Sequence, residues 1–159
     1  ALPIYIKVDI PAGVETGIKL RVTGEGNHGE KGGPAGDLYV FIHVNEHDYF
    51  SREGDDIVIE VDVPFTQLIL GSKIEVPTLA GTATIKIPEG TQPDTVFRLK
   101  GKGVSHLKGF GRGDQYVHVK ASMPSKLSSK EKALIKDLAS LREAVDTPKD
   151  VHSFVRKRT

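Results

Sequence analysis

The sequence predicts an all-β fold: two tandem, repeat-related small β-sandwich or barrel-like domains, closed by one C-terminal α-helix. Three observations point there. Short runs of alternating apolar and polar residues are separated by turn residues, with Gly 17 and Pro 9 in a chain of 159. One stretch of the chain recurs at a fixed offset. Only one segment, near the C-terminus, has a clear helical period.

The recurrence sets Ile10-Pro11-Ala12-Gly13 against Ile87-Pro88-Glu89-Gly90, an offset of 77 residues. It runs without a gap through 10–44 and 87–121, and 12 of those 35 pairs are identical. Among them are Arg21/Arg98, Gly24/Gly101, Gly26/Gly103, Asp37/Asp114, Tyr39/Tyr116 and Val40/Val117. Glycines kept in one register mark positions where the same backbone turn is built twice.

Taken in order, Ile4 to Ile10 alternates as a half-buried strand and is ended by Pro11 and Gly13. Ile18 to Val22 alternates again. A glycine-rich loop from Gly24 to Gly36 leads to a strand over Leu38 to Val44. Residues 45–56 join the copies. Ile57 to Val63 is β-branched at nearly every apolar position. Pro64 to Gly71 reads as a short helical turn, with Pro at its start and Gly at its end. Lys73 to Pro77 leads to a hairpin through Leu79-Ala80-Gly81. Strands over Ala83–Ile87, Val96–Leu99 and Tyr116–Ala121 complete the second copy. The first copy has only nine residues before its Ile-Pro motif, so it reads as incomplete at its N-terminal side. Ser128-Ser129-Lys130-Glu131 is a capping box. Behind it Leu134, Leu138, Leu141 and Val145 form a stripe on a helix expected over about 129–144, with Pro148 as its stop. The expected domains are 1–47, 48–124, and a helix with its tail over 125–159.

Composition excludes several functions. Charge is balanced, with 22 basic and 21 acidic residues, which disfavours a nucleic-acid binder. There is no Cys, hence no disulfide, thiolate zinc site or Cys nucleophile in this chain. The apolar runs are far shorter than the ~20 residues of a membrane helix, and no signal-peptide pattern opens the sequence. A soluble cytoplasmic protein with no membrane partner is expected.

The chemical motifs are weak. Gly24-Glu25-Gly26-Asn27-His28-Gly29 fits G-x-G-x-x-G, but a strand follows where a dinucleotide site needs a helix. Arg112-Gly113-Asp114 repeats the Gly36-Asp37 turn, so it reads as the opening of a strand rather than an adhesion signal. His43 and His47 lie ~13 Å apart along a strand and have no third ligand nearby. Asp55 and Asp56 beside Glu53 lack the alternate spacing of a calcium loop. No G-x-S-x-G elbow or paired acid and base carboxylates are found. The reading assigns no catalytic residue, metal or cofactor, and the protein is expected not to be an enzyme. Arg156 to Arg158 reads as a solubilising tail rather than a phosphate contact.

Several strings together resemble a known family. Ile10 to Gly17, Gly24 to Val40, Arg52-Glu53-Gly54-Asp55-Asp56, Leu70-Gly71, Glu75 to Leu79 and Lys100 to Val104 resemble the C-terminal substrate-binding region of DnaJ co-chaperones, over about residues 4–142. The resemblance implies two small β domains and a dimerisation helix. It implies a chain that holds unfolded client polypeptides and delivers them to a DnaK-type ATP-dependent chaperone. The His-Pro-Asp tripeptide of the J-domain and the Cys-rich zinc module are not in this sequence. The resemblance therefore also implies a piece of a longer protein, cut downstream of that module. The alternative is a structural dimerisation and spacer module with no client site of its own.

A holding chaperone must bind apolar segments without a fixed sequence. An open sheet edge offers backbone bonds to any peptide, and an apolar pocket beside it selects the side chains. Ile4, Ile6, Val8 and Ile10 would share one strand face, and Leu38, Val40, Ile42 and Val44 another. The resemblance places Ile6 and Val40 in the client pocket, with Ile4 and Ile42 beside them. It places Leu134, Leu138, Leu141 and Val145 in a homodimer interface. Such alternation is also the ordinary mark of a core-facing strand.

Overall fold

The computed structural model describes residues 5–29 and 32–142. It is all-β in class, with eight strands and two helices among the described residues. The chain divides into two compact units, Ala1–Ser122 and Met123–Thr159, and both repeat copies lie in the first.

In the first copy β1 (Lys19–Val22) and β2 (Leu38–Phe41) form an antiparallel ribbon. The second copy is larger. A four-stranded sheet has the order β3 (Ser51–Glu53), β4 (Asp56–Pro64), β8 (Gln115–Ser122), β7 (Val96–Leu99). β4 and β8 run parallel; the other pairs are antiparallel. Between them in sequence come the short helix α1 (Phe65–Leu70) and the hairpin of β5 (Ser72–Thr78) and β6 (Gly81–Ile87).

The hairpin covers one face of the sheet. Ile59 and Val117 of the sheet pack with Val76 and Ile85 of the hairpin in one cluster. Val63, Leu68, Ile87 and Val119 form the next. Alternation in β4 explains this: Ile57, Ile59 and Val63 are buried while Glu60 and Asp62 face out. α1 starts after Pro64 and stops at Gly71, as the sequence predicts. Its last carbonyls accept from the backbone of the turn after β6, Gly90 N–H to Ile69 and Thr91 N–H to Leu68.

The two copies share the hydrogen bonds of their ribbons and loop bases. Lys19 pairs with Phe41 as Val96 pairs with His118, 77 residues on. Gly26 N–H donates to Gly36 O at 2.8 Å and Gly103 N–H to Gly113 O at 2.8 Å. Gly36 N–H donates to Asn27 O and Gly113 N–H to Val104 O, both at 2.9 Å.

Two expectations are corrected. Residues 5–10 are irregular, not a strand, and Tyr5 is 90% exposed. By the repeat they correspond to β6, which exists because seven residues of β5 pair with it. Among the described residues nothing plays the part of β5 for the first copy, and an extended segment without backbone partners is not held as a strand. The strand expected over Leu38 to Val44 ends at Phe41. Beyond it a side chain replaces the ladder: Val44 N–H donates to Thr16 Oγ1 at 2.8 Å, and that hydroxyl donates back to Val44 O.

In the second unit, the helix α2 (Ser129–Ser140) begins with the predicted capping box. Ser128 Oγ accepts from Glu131 N–H, and Ser128 N–H donates to Glu131 Oε2 at 2.7 Å. The helix ends before 144, because its last turn tightens. Leu141 N–H donates to Leu138 O and Arg142 N–H to Ala139 O, the three-residue spacing of a 3₁₀ turn. Val145 and Pro148 lie outside the described residues.

Candidate functional site

The β1–β2 ribbon has two unlike faces. Leu20, Val22, Leu38 and Val40 are half-buried on one. Leu20 stands opposite Val40, and Val22 opposite Leu38. Lys19, Arg21, Tyr39 and Phe41 are exposed on the other, with the Lys19 ammonium 4.1 Å from the Tyr39 ring centre. Ile42 is half-buried just past β2 and donates its N–H to Ile18 O at 2.9 Å. Ile6 is 37% exposed on the irregular segment. Ile4 lies outside the described residues. Val40 and Ile42 are thus brought to one end of the ribbon, while Ile6 has no strand to place it.

The second copy shows what such positions become when covered. Val40 corresponds to Val117 and Ile42 to Val119, and both of those are 0% exposed. β4 pairs along the open edge of β8, from Ile57 opposite Gln115 to Pro64 opposite Ser122. The hairpin and α1 cover the face. Among the described residues, the matching edge of β2 carries no strand. Its apolar face is therefore a core-type surface left half open.

The glycine-rich loop of each copy is fixed by one ion pair. Arg21 Nε lies 2.6 Å from Asp37 Oδ2, and Arg98 Nε lies 2.6 Å from Asp114 Oδ2. The other carboxylate oxygen accepts a glycine N–H, from Gly24 at 3.1 Å and from Gly101 at 2.7 Å. The Gly101 N–H holds the Asp114 carboxyl below the usual carboxylate range, and the Arg98 guanidinium adds to the effect. The same pair pushes Arg98 up.

The weak motifs resolve into structure. The Gly24 loop joins two strands. Asp114 N–H donates to Asp56 Oδ1 at 2.6 Å, which ties the Arg-Gly-Asp string into the start of β8. Asp55 lies 2.6 Å from His106 Nδ1. His47 accepts from Tyr49 N–H and stacks near Phe50. Among the described residues no three His, Asp or Glu side chains gather as a metal site would require.

Two features escaped sequence reasoning. Arg52 bridges the copies, donating to the carbonyls of Gly13 and Val14. Beside it an open cleft of about 780 Å³ is lined by Thr16, Val44, Phe50, Ile57, Leu79 and Val104, among others. Among the described residues, Ile6, Val40 and Ile42 do not line that cleft. The signals for Arg52 were its place in the joining segment and in the Arg52-Glu53-Gly54-Asp55-Asp56 string that carries the resemblance.

On α2, Leu134 and Leu138 are exposed, and Leu141 is 83% exposed. No residue of this helix is buried. Among the described residues no helix is long and apolar enough to cross a membrane.

Comparison with known proteins agrees with the geometry. The family model described as DnaJ C terminal domain matches residues 4–124. A protein named Chaperone protein DnaJ from Brevibacillus choshinensis is 56% identical over 136 residues, which are 86% of this chain and 36% of that protein. One of the same name from Bacillus mycoides is 50% identical over 142 residues, 89% of this chain and 39% of the relative. The chain thus spans little more than a third of the curated relatives it matches. With a match that runs through both copies of the repeat, the chain belongs to the DnaJ C-terminal domain family.

Proposed function

We propose that this chain is the polypeptide-holding region of a cytoplasmic DnaJ-type co-chaperone. It binds non-native clients in its first copy, and the whole protein hands them to a DnaK-type chaperone. The observation that carries this is the contrast between β2 and β8. Val117 and Val119 are sealed in a core, whereas Val40 and Ile42 remain half open beside an unpaired strand edge. An extended client would add backbone bonds along β2 and seat apolar side chains against Leu20, Val40 and Ile42, with Ile6 and Ile4 closing the near side. The domains 1–47 and 48–124 would divide the work, the first binding and the second supporting.

The segment 125–159 would pair protomers. The exposed Leu134, Leu138 and Leu141, continued by Val145, supply the stripe for a partner helix. That stripe also favours a second reading, in which the chain is an assembly module without a client site. Both readings leave the chain without a reaction of its own.

One experiment separates them. A fluorescent extended apolar peptide is titrated with the chain, and its anisotropy is read without ATP. Saturable binding, together with slower aggregation of a denatured client, supports the holding role. A dimer that neither binds the peptide nor slows aggregation is the assembly module alone.

A further inference from the structure

The two copies build the same loop with different residues. Backbone bonds at its base match pair for pair, Gly26–Gly36 with Gly103–Gly113 and Gly36–Asn27 with Gly113–Val104. Where the first copy has Thr23, Glu25, Glu30, Gly33 and Ala35, the second has Lys100, Lys102, Leu107, Phe110 and Arg112. The bonds at the base do not need these five, since the first copy makes them without. Their effect is on the surface. Residues 95–113 hold five cations and no acid, against three cations and two acids in 18–36.

The loop is also bridged below its tip. Ser105 and Arg112 form a backbone bridge across it. His106 N–H donates to Gly111 O at 3.2 Å, and the His106 ring is held by Asp55. Gly109 and Gly111 have φ of 98° and 104°, which only glycine adopts readily, and Phe110 stands between them. Phe110 is 104% exposed and Leu107 38%. A fully projecting ring on an ordered turn costs little entropy to dock. Of the nearby acids, Asp55 is bonded to the His106 ring, Asp56 accepts from Asp114 N–H, and Asp114 pairs with Arg98.

We propose that this loop contacts an anionic lipid surface, with Phe110 and Leu107 entering the headgroup boundary and Lys100, Lys102, Lys108 and Arg112 meeting lipid phosphates. A convex apolar tip with flanking cations matches a planar, negatively charged interface. Leucine beside the ring favours lipid over a nucleic acid strand, because bases stack on aromatic rings and not on aliphatic chains. Such contact needs no membrane-spanning helix.

The chain contains no Trp, so Phe110→Trp supplies a sole reporter. Tyr49→Trp, on an exposed loop elsewhere, is the control. With vesicles of phosphatidylcholine and phosphatidylglycerol, the emission of Phe110→Trp should shift to the blue. It should not shift with phosphatidylcholine alone, and the control should not respond. Co-sedimentation of the unmodified chain with the anionic vesicles should fall by more than about tenfold in Lys108→Glu with Arg112→Glu. Equal emission with both vesicle types, or co-sedimentation untouched by the charge reversal, overturns the proposal. Quenching by single-stranded RNA without any vesicle response overturns it in favour of nucleic acid.

Discussion

Arg52 donates from Nη2 to the carbonyl oxygen of Gly13 at 2.7 Å, across the junction between the two copies of the repeat. Nη1 reaches Val14 O at 2.8 Å, and Nε reaches Gly54 O at 2.7 Å. From the other side, the second copy's loop closes on the same turn. Gly13 has φ of 85°, and a Cβ there would fall on the carbonyl oxygen of Ser105. The Ile-Pro-x-Gly turn of the first copy is therefore clasped between a guanidinium and a backbone loop of the second. A planar fork with several fixed donors does this; an ammonium does not.

Arg52→Ala should lower the unfolding free energy by about 1.5–3 kcal/mol, the range for hydrogen bonds from a charged group. Arg52→Lys should recover less than half of that. Gly13→Ala should cost at least as much, since the left-handed backbone and the Ser105 contact both oppose a methyl group. Urea unfolding with a constant slope measures all three. An unchanged midpoint in Arg52→Ala rejects the clasp.

Val40 and Val117 form an internal control for the proposed binding site. They occupy one repeat position, half-buried in one copy and sealed in the other. A carboxylate buried without a partner costs several kcal/mol. Val117→Asp should therefore unfold the second copy. Val40→Asp should leave that copy folded and weaken binding of an extended apolar peptide by at least about tenfold. Amide spectra report the folding and anisotropy the binding. Unchanged peptide affinity in a folded Val40→Asp removes Val40 from the site.

The same pair shows how far the sequence could be read. The repeat and its alternation specify which side of β2 is apolar, because period and register are local properties. They do not specify whether that side is covered, because cover comes from residues distant in sequence. β4 lies beside β8 through a parallel pairing that no short-range pattern announces. Residues 5–10 failed as a strand for a related reason. Their alternation is real, but β6 in the second copy owes its extended form to β5. The capping box at Ser128 and the Pro64–Gly71 turn were legible because their bonds close within a few residues. The Arg52 clasp was not, since it spans 39 residues to Gly13.

Leu138 and Leu141 test the assembly role. Leu134, Leu138 and Leu141 are exposed, and no residue of α2 is buried. Burying a leucine side chain is worth ~1.5–3 kcal/mol, so a pair from each of two protomers would contribute heavily to a dimer. Leu138→Asp with Leu141→Asp should yield a monomer while the β-sheet signal in circular dichroism is retained. Two client sites held together raise avidity where one long client can reach both. Peptide affinity should therefore stay constant in the variant while suppression of client aggregation falls. Sedimentation at micromolar concentration decides. A monomer in the unsubstituted chain, or a dimer that survives both changes, rejects the interface.

Asp114 makes the fold sensitive to acid. Its carboxyl lies below the usual range in the folded chain, chiefly through the Gly101 N–H and then through Arg98. The unfolded chain has neither partner and protonates at the ordinary aspartate value of about 3.9. A depressed folded value means that the unfolded state binds the proton first. The stabilisation is then complete above the ordinary range and is lost as pH falls through the lowered folded value. Arg98, pushed up by the same contact, stays charged throughout and contributes no slope there. Denaturation midpoints measured from neutral pH downward should decline below about pH 4. In Asp114→Asn the amide cannot ionise, although it still accepts from Gly101. That variant should start less stable at neutral pH, and its curve should flatten over the acid range. Acid slopes that run parallel in the two proteins would show that Asp114 is not the group responsible.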